Sequence, residues 1–145
     1  MESYTVRCIV GGVKRFNITS MPTILVADDC ASTRLSVRLL LEGRHPELSI
    51  REAIDGLDAI QQAEKLKPDL ILLDLNMPRV NGAEAASALK NLLPDTPIIL
   101  FTVFQDLIGE SLCSALGVES LSKTDGGSKL LERVDALFPP SQTAI

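Results

Sequence analysis

The chain lacks most of the residues that define small disulfide-bonded or metal-stabilised proteins. Tryptophan is absent, aromatic residues make up 3% of its 145 residues, and it contains one histidine and three cysteines. Because the cysteines are scattered without Cys-x-x-Cys spacing, neither a disulfide framework nor a zinc site is indicated, and we expect a reducing cytoplasm. With so few aromatics the core must be aliphatic, which suits a parallel sheet covered by helices.

Long hydrophobic runs and clusters of basic residues are also missing. No apolar stretch approaches the roughly 18 residues that a membrane span needs, and no secretion-signal pattern opens the chain. The formal net charge of −5 argues against a nucleic-acid or anionic-membrane surface. The hydrophobic fraction of 46% and charged fraction of 23% are typical of one globular domain.

From Thr23 onward, short apolar runs alternate regularly with amphipathic stretches. The predicted strands cover residues 24–27, 48–54, 70–73, 97–101 and 118–122, and the predicted helices cover residues 31–42, 57–66, 83–93, 106–116 and 128–138. Five such alternations require parallel strands with right-handed crossovers and helices on both faces. The predicted fold is α/β, a doubly wound five-stranded parallel sheet.

Residues 1–20 differ from the rest, with three basic residues against one acid. Two apolar stretches, residues 4–10 and 13–18, flank Gly11-Gly12, which is a hairpin signal. The alternatives are a flexible extension without function, which we favour, or upstream sequence with Met21 as the true start. The predicted organisation is an N-terminal extension over residues 1–21, one domain over residues 22–139 and a tail over residues 140–145.

Two expectations concern the first predicted helix. Its spacing predicts a broad apolar face and an end at Gly43. The residues of that face are Leu35, Val37, Leu39, Leu40 and Leu41. Cys30, just before the helix, follows two acids that would raise the pKa of its thiol, so we interpret it as a small filler.

Residues able to carry chemistry gather at the carboxyl ends of the predicted strands. They are Asp28 and Asp29 after the first strand, Asp74 after the third, Thr102 after the fourth and Lys123 after the fifth. Because these ends share one edge of a parallel sheet, we expect the side chains to lie within reach of one another. Three crowded carboxylates repel, and Mg²⁺, which prefers oxygen ligands and keeps several waters, would compensate them. Together with an ammonium and a hydroxyl, they indicate transfer of a phosphoryl group to a carboxylate.

Four sequence strings carry a family resemblance. They are Leu25-Val26-Ala27-Asp28-Asp29, Leu72-Leu73-Asp74-Leu75-Asn76-Met77-Pro78 with Asn81-Gly82 after it, Phe101-Thr102, and Ser122-Lys123. From Pro22 to about Phe138, the chain resembles the receiver domain of two-component response regulators, which implies the (βα)5 flavodoxin-like receiver fold. The resemblance also implies that Asp74 is the phosphoacceptor, taking phosphate from a histidine kinase or a phosphotransfer protein.

The resemblance assigns the remaining residues as well. Asp29 would bind Mg²⁺ directly and Asp28 through water, and Asp74 and the backbone carbonyl of Asn76 would complete the protein ligands. Thr102 and Lys123 would hold the phosphoryl oxygens. Such a domain is not an enzyme beyond Mg²⁺-dependent self-phosphorylation and autodephosphorylation. Residues 106–138 would form the face for an unidentified downstream protein, and with seven residues left we expect no attached output domain.

The chain departs from the family pattern at Ser120, where receivers usually carry Tyr or Phe, and at Thr124, where proline is common. Without the ring, a non-switching pseudo-receiver that acts as a constitutive protein-interaction module is the alternative. A hydrolase with an aspartyl nucleophile would need an acid at Asn76. A flavin-binding domain would need a hydroxyl- and glycine-rich loop where Asp28-Asp29 stands.

Overall fold

A five-stranded sheet between two layers of helices forms the body of the protein in this computed structural model. The structure describes residues 21–103 and 113–139, and the backbone of residues 5–9 and 13–17. The strands are β1 (Thr5–Ile9), β2 (Val13–Asn17), β3 (Thr23–Ala27), β4 (Ser49–Ala53), β5 (Leu70–Leu73), β6 (Ile98–Thr102) and β7 (Glu119–Ser122). The helices are α1 (Ala31–Arg44), α2 (Gly56–Leu66), α3 (Gly82–Leu92) and α4 (Ser128–Leu137), with a 3-10 turn at Lys123–Asp125.

The large sheet has the order β4-β3-β5-β6-β7, and every neighbouring pair is parallel. Within this sheet the chain enters at β3, moves outward to the edge strand β4, and then returns across β3 to β5, β6 and β7. This reversal creates a switch point between β3 and β5, where open α/β sheets bind their ligands at the carboxyl ends of the strands. The predicted doubly wound parallel sheet is confirmed.

The two faces of the sheet bury separate aliphatic cores. Leu25, Ile71 and Leu73 face the core that α2 and α3 cover. Ile24 and Leu72 face the core that α1 and α4 cover. All four residues of β5 are at most 1% exposed, and burying each such side chain contributes about 1.5–3 kcal/mol. β5 is therefore firmly held, and so is the acid that follows it.

The end of α1 differs from the prediction. The helix continues through Gly43 to Arg44 and stops at His45. Because Pro46 follows, the α conformation is disfavoured at His45, and the backbone there has φ −130° and ψ 71°. The proline, and not the glycine, ends the helix.

The predicted apolar face of α1 is also too broad. Val37 and Leu41 are buried, but Leu35 is 53% exposed and Leu39 is 60% exposed. These two leucines are one helical turn apart, so they form an exposed apolar pair on the side of α1 that faces away from the sheet.

Two predictions fall partly outside the described residues. Of the alternatives for the N-terminal extension, the hairpin signal corresponds to an antiparallel ladder of β1 and β2, with Arg7 opposite Arg15; residues 10–12 between the two strands lie outside. For the predicted helix over residues 106–116, only residues 113–116 are described, and they are helical. Gly117 ends this segment with φ 70°, as predicted. The proposed division at residues 21 and 139 stays a prediction. Among the described helices, none has the length and hydropathy to cross a membrane.

Candidate functional site

Two neighbouring strands place the acids of the site side by side. The backbone N–H of Asp74 donates to the carbonyl of Ala27 at 2.9 Å, and that of Asp28 donates to the carbonyl of Ala53 at 3.1 Å. Both acids therefore continue the hydrogen-bond ladder of the sheet by one residue. Their position at the switch point follows directly from the sequence, because each is the first residue after a buried strand.

The three carboxylates form one cluster. Asp28, Asp29 and Asp74 each offer one oxygen, and these oxygens all lie within 4.8 Å of one another. Asp28 is 3% exposed and Asp74 is 8% exposed, whereas Asp29 is open to solvent. Like charges at this spacing repel, and the repulsion grows as burial lowers the local dielectric constant. An all-oxygen set with one open side fits a hard divalent cation such as Mg²⁺.

Lys123 contacts two of the three carboxylates in this cluster. Its Nζ lies 2.5 Å from Oδ2 of Asp28 and 3.6 Å from Oδ1 of Asp74. The ammonium is also 6.0 Å from the centre of the Phe101 ring. The lysine therefore partly compensates the acids, with its closer contact on Asp28 and not on Asp74.

The turn that carries Lys123 is fixed by hydroxyl groups. The Ser122 hydroxyl accepts from the backbone N–H of Thr124 at 3.1 Å, and the two side-chain oxygens are 2.6 Å apart. Thr124 has the backbone N–H that a proline would lack, so this departure from the family pattern supplies its own turn-forming contact.

The electrostatics of Asp74 reflect this crowding. Burial is the main cause that raises the pKa of its carboxyl group, and the charges of Asp28 and Asp29 raise it further. Lys123 and the backbone N–H of Asn76 act in the opposite direction but do not cancel the increase. The ionised form of Asp74 is therefore held in the protein at a cost, which a bound cation would reduce.

The loop after Asp74 returns close to the acid. The backbone N–H of Gly82 donates to the carbonyl of Leu75 at 2.8 Å. A Cβ atom on Gly82 would overlap the backbone of Asp74 and Leu75, so the first residue of α3 must be glycine for the loop to close. Asn81 caps the helix by accepting from the backbone N–H of Glu84 at 2.9 Å. Asn76 is exposed on this loop.

The remaining predicted residues lie at the same edge. Thr102 is fully buried at the end of β6, and its Cα is paired in register with that of Ser122. Ser120, at the usual aromatic position, is half-buried and paired with Leu100. The structure thus brings every predicted site residue to one rim of the sheet.

Two features at the start of α1 were not predicted. Arg34 donates to the backbone carbonyl of Asp28 at 2.6 Å and to Oε1 of Glu52 at 2.9 Å. Cys30 is exposed, and hydrogen bonds, first from the Ser32 side chain and then from Thr33, lower the pKa of its thiol to about 7. The interpretation of Cys30 as a small filler with a raised pKa is therefore wrong, because the side chain is exposed and local hydrogen bonds lower the pKa of its thiol.

A groove of about 300 Å³ opens beside Lys123, between α1 and the turn that leads into α4. Its walls combine apolar and hydroxyl-bearing side chains from α1 with the ring of Phe101. The exposed leucine pair of α1 is on the same helix. Helix α1 therefore contributes to the wall of the groove and also carries the exposed leucine pair.

Comparison with known families gives a consistent result. The family model described as response regulator receiver domain matches residues 24–135. The chain is 34% identical over 114 residues to the transcriptional regulatory protein DegU of Brevibacillus brevis, covering 78% of this chain and 44% of DegU. It is 40% identical over 82 residues to a putative transcriptional regulator of Pseudomonas aeruginosa, covering 57% and 39% of the two chains. The chain thus spans about two fifths of the length of these relatives.

Solved structures resemble the fold over most of its length. Vibrio cholerae chemotaxis protein CheY4 superposes with a TM-score of 0.73 and 27% identity, covering 82% of this chain and all of CheY4. Response regulator protein TrrA of Thermotoga maritima, in complex with Mg²⁺ and BeF, gives a TM-score of 0.69 and 29% identity. That match covers 81% of this chain and all of TrrA.

Proposed function

The chain belongs to the response regulator receiver domain family, and we propose that it is a phosphorylatable receiver whose phosphoacceptor is Asp74. Members of this family take part in two-component signalling, and magnesium and phosphorylation are general features of the family. The single observation that carries the proposal is the cluster of Asp28, Asp29 and Asp74 with Lys123 against it.

The reaction we propose is transfer of a phosphoryl group from a phosphohistidine. An Oδ atom of Asp74 attacks the phosphorus, an O–P bond forms, the N–P bond of the donor breaks, and the histidine nitrogen leaves with the electron pair. Lys123 and Thr102 hold the oxygens of the group being transferred. Later attack by water releases phosphate and restores the carboxylate. Apart from this self-phosphorylation and autodephosphorylation, we propose no enzymatic activity.

The donor set suits Mg²⁺, which neutralises the negative charge that gathers when a phosphate approaches three carboxylates. Asp29, open to solvent, would hold the ion directly, and the buried Asp28 would hold it through water. Asp74 and the backbone carbonyl of Asn76 would complete the protein ligands. The solved complex of TrrA with Mg²⁺ and BeF supports the choice of metal by similarity.

The first test is phosphorylation of the purified chain by acetyl phosphate in the presence of Mg²⁺. We expect intact-mass spectrometry to show one added phosphoryl group on the wild type and none on Asp74→Asn. The control is Asp69→Asn, which changes the acid that precedes β5 and leaves the acid that follows it intact. An adduct that persists in Asp74→Asn, or a wild type that gains none, would contradict the proposal.

We propose that the phosphodonor protein, a histidine kinase or a phosphotransfer protein, docks on α1. The groove beside Lys123 and the exposed pair Leu35 and Leu39 support this surface. The exchange would take place in the cytoplasm, in keeping with the scattered spacing of the cysteines in the sequence.

This docking surface can be tested with one substitution. Leu39→Gln should slow transfer from a phosphorylated phosphotransfer protein while leaving the rate with acetyl phosphate unchanged. Leu92→Gln on α3 is the matched control, because Leu92 is 40% exposed but lies on the other side of the sheet. Equal slowing by both substitutions, or slowing with acetyl phosphate, would remove α1 from the proposal.

The output is proposed to be a protein–protein contact made by residues 106–138, of which residues 113–138 are described.

The second candidate function is that of a pseudo-receiver that binds its partner in both states. Ser120 favours it, because no aromatic ring is present at this position to change its orientation when Thr102 moves. Pull-downs with phosphorylated and unphosphorylated protein separate the two, since a ligand shifts a conformational equilibrium only through its different affinity for the two states. Capture of the same partner in equal amounts would favour the pseudo-receiver.

A further inference from the structure

We infer that Arg34 is a positioning residue for the cation site, acting through the peptide that joins Asp28 to Asp29. The inference rests on the proposed function, since it concerns how the acid pair is presented to Mg²⁺. Its basis is the short contact of the Arg34 guanidinium with the Asp28 carbonyl, at 2.6 Å.

Asp28 is fixed at each of its polar groups. Its backbone N–H donates to Ala53, its carbonyl accepts from Arg34, and its two carboxylate oxygens accept from the Cys30 N–H at 2.8 Å and from Lys123. Arg34 is the contact that fixes the carbonyl, and with it the plane of the peptide leading to Asp29. That plane places the Cα of Asp29 relative to Asp28, and so sets the point from which the exposed Asp29 side chain extends.

Arg34 is itself held in place. Its side chain is 13% exposed, and its Nε donates to Oε1 of Glu52 on β4 at 2.9 Å. The other carboxylate oxygen of Glu52 accepts from Arg38 at 2.8 Å. A planar guanidinium can donate to both Glu52 and the Asp28 carbonyl at once, whereas an ammonium offers no such fork. The edge strand β4 thereby anchors the loop that carries the acids.

The charge of Arg34 alone would have the opposite effect. A cation beside the acid pair repels Mg²⁺, so on electrostatic grounds its removal should tighten metal binding. Loss of positioning should weaken binding instead, because groups that orient metal ligands typically contribute 10- to 100-fold to affinity. The sign of the change therefore distinguishes the two roles.

The experiment is calorimetric titration of the unphosphorylated full chain with Mg²⁺. We expect Arg34→Met to bind Mg²⁺ about tenfold more weakly than the wild type. Arg38→Met is the matched control, since it also loses an ion pair with Glu52 but has no contact with Asp28 among the described residues; its Mg²⁺ affinity should stay at the wild-type value. Arg34→Lys keeps the charge and should still bind more weakly, because it lacks the fork.

A second measurement covers the case in which Arg34→Met folds poorly. Hydrogen exchange at the Cys30 amide in Arg34→Lys should be faster than in the wild type, while exchange in the strands is unchanged. Unchanged or tighter Mg²⁺ binding by the Arg34 variants, or equal weakening by Arg38→Met, would overturn the inference. A wild type that binds no Mg²⁺ would contradict the proposed function as well. Normal phosphorylation of the wild type, together with Mg²⁺ affinities of the Arg34 variants equal to that of the wild type, would contradict the inference alone.

Discussion

The charged side chains at the two ends of α1 are arranged differently. At its N-terminal end, Asp28, Asp29 and Asp74 crowd together with Lys123 as their close cationic partner. At its C-terminal end, the buried ring of His45 contacts Glu47 through Nδ1 at 2.9 Å and Asp135 of α4 through Nε2 at 2.6 Å, and Arg44 also pairs with Asp135. The two acids at the C-terminal end thus share a buried hydrogen-bonding partner, whereas the three acids at the N-terminal end crowd against one another around a single lysine.

The largest loss of stability should come from disrupting the contacts at the C-terminal end of α1. His45→Ala would remove the ring that joins α1 to α4 and leave two carboxylates without their shared partner. Since both carboxylates retain some solvent access, we expect a loss of about 2 kcal/mol in the free energy of unfolding. Urea denaturation would measure it.

The control for this substitution is Arg133→Gln, which removes an exposed ion pair with Glu119. Such pairs typically contribute less than about 1 kcal/mol. If His45→Ala were no more destabilising than this control, the comparison between the two ends of α1 would fail.

The next largest change in stability concerns the acidic cluster at the N-terminal end of α1. Mg²⁺ at ten times its dissociation constant should stabilise the wild type by about 1.4 kcal/mol, because it binds the folded state. Asp29→Asn should lose most of this gain in a thermal melt. Equal stabilisation of the wild type and Asp29→Asn would place the ion elsewhere.

The two ends should also respond oppositely to pH. The pKa of Asp74 is raised above its ordinary value of 3.8, chiefly by burial. Its contribution to stability is therefore present below the unfolded pKa and is lost as pH rises through the folded pKa. Without Mg²⁺, Asp74→Asn should be more stable than the wild type at neutral pH, and the difference should vanish in acid.

For Asp135, burial acts to raise the pKa, but hydrogen bonds from Arg44 and His45 outweigh it and hold the pKa below 3.8. Its contribution is present above the unfolded pKa and is lost as pH falls through the folded pKa. Asp135→Asn should therefore be less stable than the wild type at neutral pH, by a smaller amount because Asp135 is partly exposed. Urea denaturation over a pH series would show whether the two differences have opposite signs.

Much of the fold follows from local sequence signals. The apolar run of β5 is predicted to the residue, because a strand buried on both faces needs an unbroken apolar run. The position of the acids follows equally well, since a polar residue that ends such a run must lie at the edge of the sheet. The ends of helices follow less directly from the sequence. Gly43 can end a helix, but α1 continues past it and ends before Pro46.

The contacts that periodicity cannot predict are those between side chains distant in sequence. Arg34 reaches Glu52, and His45 reaches Asp135 across 90 positions. Both depend on which elements the topology places together. The exposure of Leu35 and Leu39 was missed for a related reason, since spacing shows which residues share a face but not whether a neighbour covers it.

The pairing of Lys123 with Asp28 joins residues 95 positions apart. A nascent chain leaving the ribosome therefore carries no complete site until its last strand has emerged and docked against β6. We therefore expect the proposed phosphoacceptor site to be incomplete in any nascent chain that ends before Lys123.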